Sequence, residues 1–156
     1  CGLMSKINYK NGIKFKCQSS GNCCISRGSY GFVYLSKNDL TRFAKHFNLP
    51  IEHFKKKYCQ TTDGYIHLAE KKSLNGKCLF LKNYKCTVYE SRPSQCRTWP
   101  FWNENMNAKT WNEDISVNCP GIGKGKKISS KLIKKYLKED YDNEISILNG
   151  YANPET

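Results

Sequence analysis

From residue 6 to residue 16 apolar side chains alternate loosely with polar ones (Ile7, Tyr9, Ile13, Phe15). This period-two pattern predicts an edge strand or hairpin, broken at Asn11-Gly12. A Cys/Ser/Gly/Asn loop covers residues 17 to 24, and Gly31 to Leu35 reads as a short strand. The period changes at Ser36. Leu40, Phe43, Ala44 and Phe47 recur at i, i+3, i+4 and i+7, the spacing of one buried helix face. Ser36 is a good N-cap, and Asp39 three residues on has the form of a capping box. Leu49-Pro50 ends that helix, and Pro50 suits the first turn of the next, with Ile51, Phe54 and Tyr58 inward.

Further along, Tyr65 to Ala69 reads as a strand and Ser73 to Gly76 as a turn. Cys78 to Leu81 and Cys86 to Tyr89 predict two arms of a hairpin joined by residues 82–85, with a cysteine at the start of each arm. Pro93 begins a short helical turn carrying Cys96 and Arg97. Trp99-Pro100-Phe101-Trp102 is an aromatic knot with the character of core. Asn103 to Asn118 is polar and is expected to form a hairpin around Asn107. Cys119 to Gly125 is a glycine-rich loop that resembles a phosphate cradle but lacks the G-x-x-x-x-G-K-[ST] pattern. A last helix starts near Ser129 or Ser130, burying Leu132, Ile133, Tyr136 and Leu137 and continuing through Ile145 and Leu148. The expected fold is a single small α+β domain over residues 6–150, with short antiparallel strands, several helices and loops organised by metal. Residues 1–5 are read as a remnant or disordered start, with Met4 as the expected native start, and 151–156 as a tail.

Composition changes this picture in one respect. A chain of 156 residues buries roughly 70% of its unfolded surface and needs no cross-links merely to fold. Yet it carries nine cysteines. No apolar stretch of signal length stands at the start and none reaches the ~20 residues of a transmembrane helix. A reducing cytoplasmic setting with no membrane partner is therefore expected, where a cysteine cluster means metal more often than disulfides. A disulfide-stabilised binding module is the competing reading. The net charge of +13 allows nucleic acid or acidic partners. The lysines are scattered along the sequence, however, and no RNA-binding signature appears, so nucleic acid is disfavoured though not excluded.

Setting Cys1 and Cys59 aside, seven cysteines remain: Cys17, Cys23, Cys24, Cys78, Cys86, Cys96 and Cys119. All lie in loops or at element ends, where the backbone can bend to converge sulfurs on an ion. Zn²⁺ takes four such thiolates in a tetrahedron, and iron–sulfur clusters take four in a larger cage. Four thiolates on Zn²⁺ leave a net negative site, so Arg92 and Arg97, which flank Cys96, are candidates to stabilise it; surface ion pairing is their other reading. His46 and His53 read as helix-surface residues and His67 as an unpaired strand histidine. Cys59 reads as a free half-buried thiol, with Lys55 to Lys57 near enough in sequence to lower its pKa in a reactive alternative.

Three blocks carry a family resemblance. Phe15-Lys16-Cys17-Gln18-Ser19-Ser20-Gly21-Asn22-Cys23-Cys24 resembles F-x-C-x-x-C-G-x-C-C, the opening of the YkgJ-like cysteine-cluster family, CxxCxxCC, a zinc- or iron-chelating domain. Cys78-Leu79-Phe80-Leu81 with residues 86–101 (Cys-Thr-Val-Tyr-Glu-Ser-Arg-Pro-Ser-Gln-Cys-Arg-Thr-Trp-Pro-Phe) resembles its C-x-F-L…C-x-I-Y-x-x-R-P-x-x-C-R-x-(Y/F)-P-F. Residues 119–125 resemble its C-P-G-I-G-x-G. The resemblance implies a cysteine-ligated metal domain, with an enzymatic association through similar clusters in flagellin lysine N-methylases. Ser20 stands where the family pattern has its second cysteine, leaving seven thiolates rather than eight. Either one site of four has drifted away, or one site is open and can do Lewis-acid chemistry. The expected function is metal chelation, zinc first and iron or an iron–sulfur cluster second, at least partly structural. The alternative is an iron- or zinc-dependent enzyme modifying a protein or small molecule at an open position, in a pocket lined by Trp99, Phe101 or Trp102.

Overall fold

Two apolar clusters organise the computed structural model, which describes residues 5–24 and 32–150. Residues 1–4 of the start expected at 1–5, the Gly31 end of the strand expected at 31–35, and the expected tail at 151–156 lie outside the described residues. In the first cluster, α1 (Lys37–Phe47) and α2 (Ile51–Tyr58) pack together. The capping box at the start of α1 is formed in both directions. Ser36 Oγ accepts from the Asp39 N–H at 3.1 Å, and an Asp39 carboxylate oxygen accepts from the Ser36 N–H at 3.1 Å. Asn48, left-handed at φ 51°, closes the helix. Leu40, Phe43 and Ala44 are buried as the spacing predicts. Their face stacks aromatics: Phe43 on Phe54 at 5.1 Å between centroids, and Phe47 on Tyr58 at 5.0 Å, with Phe80 against both Phe43 and Phe47. Ile51 is a correction. It is 39% exposed, because the first residue of α2 lies beyond the reach of that stack.

The strand expected at 65–69 forms as β3 (Tyr65–Leu68). Its partner, β2 (Cys59–Thr62), pairs with it in regular antiparallel register from Cys59↔Leu68 to Thr62↔Tyr65. Asp63-Gly64, both at positive φ, makes the two-residue turn. Residues 33–35 run beside β3 through the Tyr34–His67 bridge.

The cysteine hairpin is tighter than expected. Its arms are β4 (Leu81–Lys82) and β5 (Lys85–Cys86), with Asn83-Tyr84 at positive φ as the turn. Cys78 therefore precedes the first arm and Cys86 ends the second rather than opening it. Tyr89–Ser91 is a 3₁₀ turn, and α3 (Ser94–Thr98) follows Pro93 as the sequence predicts.

The second cluster joins Phe101, Met106, Trp111, Ile115 and Ile133. The hairpin expected around Asn107 is not there. Asn107 instead caps a helical run, its side-chain oxygen accepting from the Thr110 N–H at 2.8 Å. The run passes through α4 (Ala108–Thr110), a π-turn (Trp111–Ile115) and α5 (Ser116–Asn118). Trp111 and Ile115, four apart, are its buried residues; two apolar anchors in a polar stretch are enough for one inner stripe.

The glycine-rich segment after Cys119 is also a correction. It becomes β6 (Ile122–Ile128), paired antiparallel with β1 (Ile13–Phe15). Last comes α6 (Ser130–Gly150), with Ile133 fully buried and Leu132, Tyr136 and Leu137 half-buried. Farther along it is Ile147 that is buried, while Ile145 and Leu148 are 39% and 46% exposed; the inner stripe runs at 133, 136, 137 and 147. No helix among the described residues is long and apolar enough to cross a membrane. The architecture is the α+β domain with small antiparallel sheets that the sequence predicts.

Candidate metal centre

Between the two clusters lies a cavity of about 480 Å³, and all seven candidate cysteines line it. They arrive from three directions. Cys17 and Cys119 sit where β1 ends and where the chain turns into β6. Cys23 and Cys24 lie on a 3₁₀ turn, fixed by the Cys24 carbonyl accepting from the Cys78 N–H at 2.7 Å. Cys78 and Cys86 bracket the β4–β5 hairpin, and Cys96 rides on α3.

Several of these sulfurs are held by local N–H donors. The Ser19 N–H donates to Cys17 Sγ at 3.4 Å. Backbone N–H groups of Phe80 and Leu81 donate to Cys78, and that of Val88 to Cys86. In each case a donor comes from two residues after the cysteine. Such bonds favour the thiolate and hold the sulfur over its own turn, an arrangement compatible with a metal ligand.

The thiols act on one another. Cys24 donates to Cys23, which holds Cys23 down at about 7 from an ordinary 9, against the upward push of burial. The same bond, then burial, then the charges of Cys23, Cys78 and Cys96 drive Cys24 far up. Burial pushes up Cys78, Cys86 and Cys96, and neighbouring thiolates add to it in all three. The Arg92 guanidinium opposes this at Cys23, Cys86 and Cys96. Burial and mutual repulsion thus work against holding several thiolates here at once, and Arg92 is the cation that opposes them. Among the described residues no group of three or more His, Cys, Asp or Glu side chains stands close enough together to hold a metal ion as placed. The donor set nonetheless fits a thiophilic cation: soft ligands, mutually repelling when ionised, gathered at one cavity.

The remaining predicted residues separate cleanly. Arg92 lines the cavity, half-buried, its guanidinium 3.7 Å from the Tyr89 ring centroid and donating to Tyr89 O at 2.9 Å. Arg97 is exposed, does not line the cavity, and donates to Ser94 Oγ at 3.3 Å. Ser20 lines the cavity, its Oγ accepting from the Asn22 N–H at 3.2 Å. Gly21 beside it is left-handed, and a Cβ there would press on Leu81 at 3.2 Å. Phe101, expected as a pocket wall in the enzyme reading, is 1% exposed in the second cluster, whereas Trp99 and Trp102 do line the cavity. His67 is fully engaged, with Nε2 2.8 Å from Thr62 Oγ1, Nδ1 2.8 Å from Leu68 O, and its ring stacked on Phe32. His46 and His53 are exposed. Cys59 packs on the rim of the first cluster, and burial pushes its thiol up to about 11, over the opposing pull of Lys55. Burial thus outweighs the nearby cations on which the reactive reading of Cys59 relied. The described cysteines are free, with no disulfide among them.

Sequence reasoning missed Asp39 and Gln95. Asp39 is fully buried and reaches beyond its cap: Oδ1 accepts from Arg42 at 2.7 Å, from the Ser94 N–H at 3.0 Å and from Ser94 Oγ at 3.1 Å. It thereby fixes the start of α3, two residues before Cys96. Arg42 also donates to Arg92 O at 2.8 Å. Gln95 accepts from the Tyr34 N–H at 3.1 Å and donates to Phe32 O at 3.2 Å, tying α3 to the first cluster. The Asp39/Arg42 spacing was the available signal; nothing marked Gln95.

A family model described as "CxxCxxCC: Putative zinc- or iron-chelating domain" matches residues 16–120, the span that holds all seven cysteines. The chain belongs to this family. It is also similar to an uncharacterized protein of Methanocaldococcus jannaschii, 34% identical over 150 residues, covering 87% of this chain and 78% of that protein. No solved structure matches the chain. Membership of CxxCxxCC supports metal binding and agrees with the family resemblance read from the three cysteine blocks.

Proposed function

We propose that this CxxCxxCC protein binds zinc through cysteine thiolates, and that the bound metal joins the two halves of the fold. The observation that carries this reading is the convergence of seven cysteines, from segments up to a hundred residues apart, on one cavity. Cys23, Cys78, Cys86 and Cys96 are the proposed principal ligands, since all four line the cavity and the charge of Cys23 reaches each of the other three. Cys24 serves as donor to Cys23 or as an exchange ligand, and Cys17 and Cys119, with Ser20 beside them, form the other part of the cavity wall. Zinc suits four thiolates without redox chemistry or a geometric demand of its own. The setting proposed is the cytoplasm, where thiols stay reduced.

A second reading has its own support. The cavity is larger than an ion and its sulfurs require, and Trp99 and Trp102 line it. Together with Ser20 in place of a cysteine, this favours an open coordination position and an enzyme acting on a small molecule or a protein side chain.

Metal analysis with a visible spectrum on anaerobically purified protein tests both. Colourless protein with one zinc bound only by sulfur supports the first reading. Brown protein with acid-labile sulfide replaces zinc by an iron–sulfur cluster, and a zinc site with an exchangeable oxygen ligand moves the assignment to the enzyme.

A further inference from the structure

The lysines that look scattered along the chain are gathered by the β1–β6 pairing. Residues 5–16 and 119–137 hold ten of the 26 Lys and Arg residues and none of the 13 Asp and Glu residues. Within them β1 pairs with β6 as one ribbon, which with Lys16 just beyond β1 carries five of the ten: Lys14, Lys16, Lys124, Lys126 and Lys127. Lys14 stands directly opposite Lys127, a like-charge pair that weakens a sheet by itself. The register then breaks: Ile128 and Lys127 face Ile13 and Lys14, but Phe15 faces Ile122, so residues 123–126 leave the ladder as a bulge. Gly123 and Gly125, at φ 82° and 73°, make that excursion possible. A Cβ on Gly125 would lie 2.7 Å from Lys16 Cβ, so the bulge folds against Lys16. Lys14, Lys16, Lys124, Lys126 and Lys127 are all exposed, and among the described residues none of them forms an ion pair.

We propose that this ribbon is a binding surface for the phosphate backbone of duplex nucleic acid, contacted without sequence readout. Five ammonium groups on one ribbon, without an ion-pair partner among the described residues, repel one another, and a polyanion relieves that repulsion while releasing its own condensed counterions. The ribbon has no arginine for bidentate base contacts, and its one aromatic in β1, Phe15, packs into the second cluster. Base reading and base stacking are therefore not what the surface offers, which favours the duplex over a single strand. The ribbon is anchored to the cysteine cavity, since the Lys16 N–H donates to Gly121 O at 3.1 Å and Gly121 lines that cavity. The proposal does not depend on which metal the cavity holds.

The test is fluorescence anisotropy of the full chain with a labelled 20-base-pair DNA duplex across a salt series. With about five phosphates neutralised, log K should fall against log salt with a slope of about −4 to −5. The variant K14Q/K16Q/K124Q/K126Q/K127Q should lose most of that slope and on the order of 100-fold in affinity at low salt. K124Q/K126Q/K127Q, confined to β6, should lose about three units of slope. The comparison protein K45Q/K56Q/K57Q/K71Q/K82Q removes five exposed lysines elsewhere and should keep affinity within about threefold; circular dichroism and metal content confirm that each variant folds. Equal losses in both quintuple variants would show that net charge alone binds DNA and overturn the proposal. Tighter binding to single-stranded oligo(dT), or ribbon-dependent binding to anionic phosphatidylserine vesicles without duplex binding, would overturn it as well.

Discussion

The two apolar clusters solve different problems. The first is a stack of rings, Phe43, Phe47, Phe54, Tyr58 and Phe80, whose rim includes Cys59, Cys78 and Cys86. The second, around Phe101, Trp111 and Ile133, has no cysteine among its packed residues. It reaches the cavity through Phe15 and Trp99, which line it, and through the strand ends at Phe15 and Ile122, each close to a cysteine in sequence. One half therefore presents thiols from its own packed surface, and the other delivers them at the ends of strands. Thiols held in the first way are partly desolvated and resist ionisation without a cation, which is the condition under which metal binding becomes folding energy.

If the metal joins the halves, the largest effects come from its ligands. Cys96→Ala or Cys86→Ala should yield metal-poor, poorly soluble protein, a loss of order 5 kcal/mol or more of folding free energy. Normal yield and normal metal content in both variants would end the assignment of those residues. Phe54→Ala, fully buried in the ring stack, should cost about 3–5 kcal/mol in chemical denaturation while leaving the stoichiometry of metal in folded protein unchanged. If it released metal at the same denaturant concentration as it unfolded the second cluster, the two halves would be a single cooperative unit.

Asp39→Ala leaves Arg42 without its carboxylate and the start of α3 without its acceptor. It should cost about 3–5 kcal/mol and weaken zinc retention in a chelator competition, since Cys96 rides on that helix. Unchanged zinc affinity would confine Asp39 to stability alone.

Cys59 sharpens the contrast between cysteines. Its folded value of about 11 lies above its ordinary 9, so the neutral thiol is the form that folding favours. Its contribution to stability is whole below pH 9 and is lost as pH rises through 11, by about 1 kcal/mol once partial exposure is allowed for. Cys59→Ala should flatten that decline in urea titrations between pH 8 and 11, and wild-type Cys59 should alkylate more slowly than a free cysteine. The smallest effect is at Tyr84, a bulky residue at φ 63° in the β4–β5 turn and 73% exposed. Tyr84→Gly should raise the melting temperature slightly, by up to about 1 kcal/mol of strain relieved.

Much of this molecule is written locally. The capping box of α1, its i/i+3/i+4 face, the turn at Pro93 and the three cysteine blocks are each settled by neighbours in sequence, so the sequence determined α1, α2, α3 and α6, the family and the seven candidate ligands. The errors fall where a local pattern had two outcomes. Asn107 suited a turn and a helix cap equally, and burial of Trp111 and Ile115 chose the cap. The glycines after Cys119 suited a loop until β1 supplied a partner. What only the tertiary structure decided was which charged groups meet: that Arg92 faces the thiols while Arg97 faces solvent, that Asp39 holds α3, and that lysines over a hundred residues apart form one ribbon. Such pairings rest on electrostatics and packing between distant segments, for which the local sequence carries no period to read.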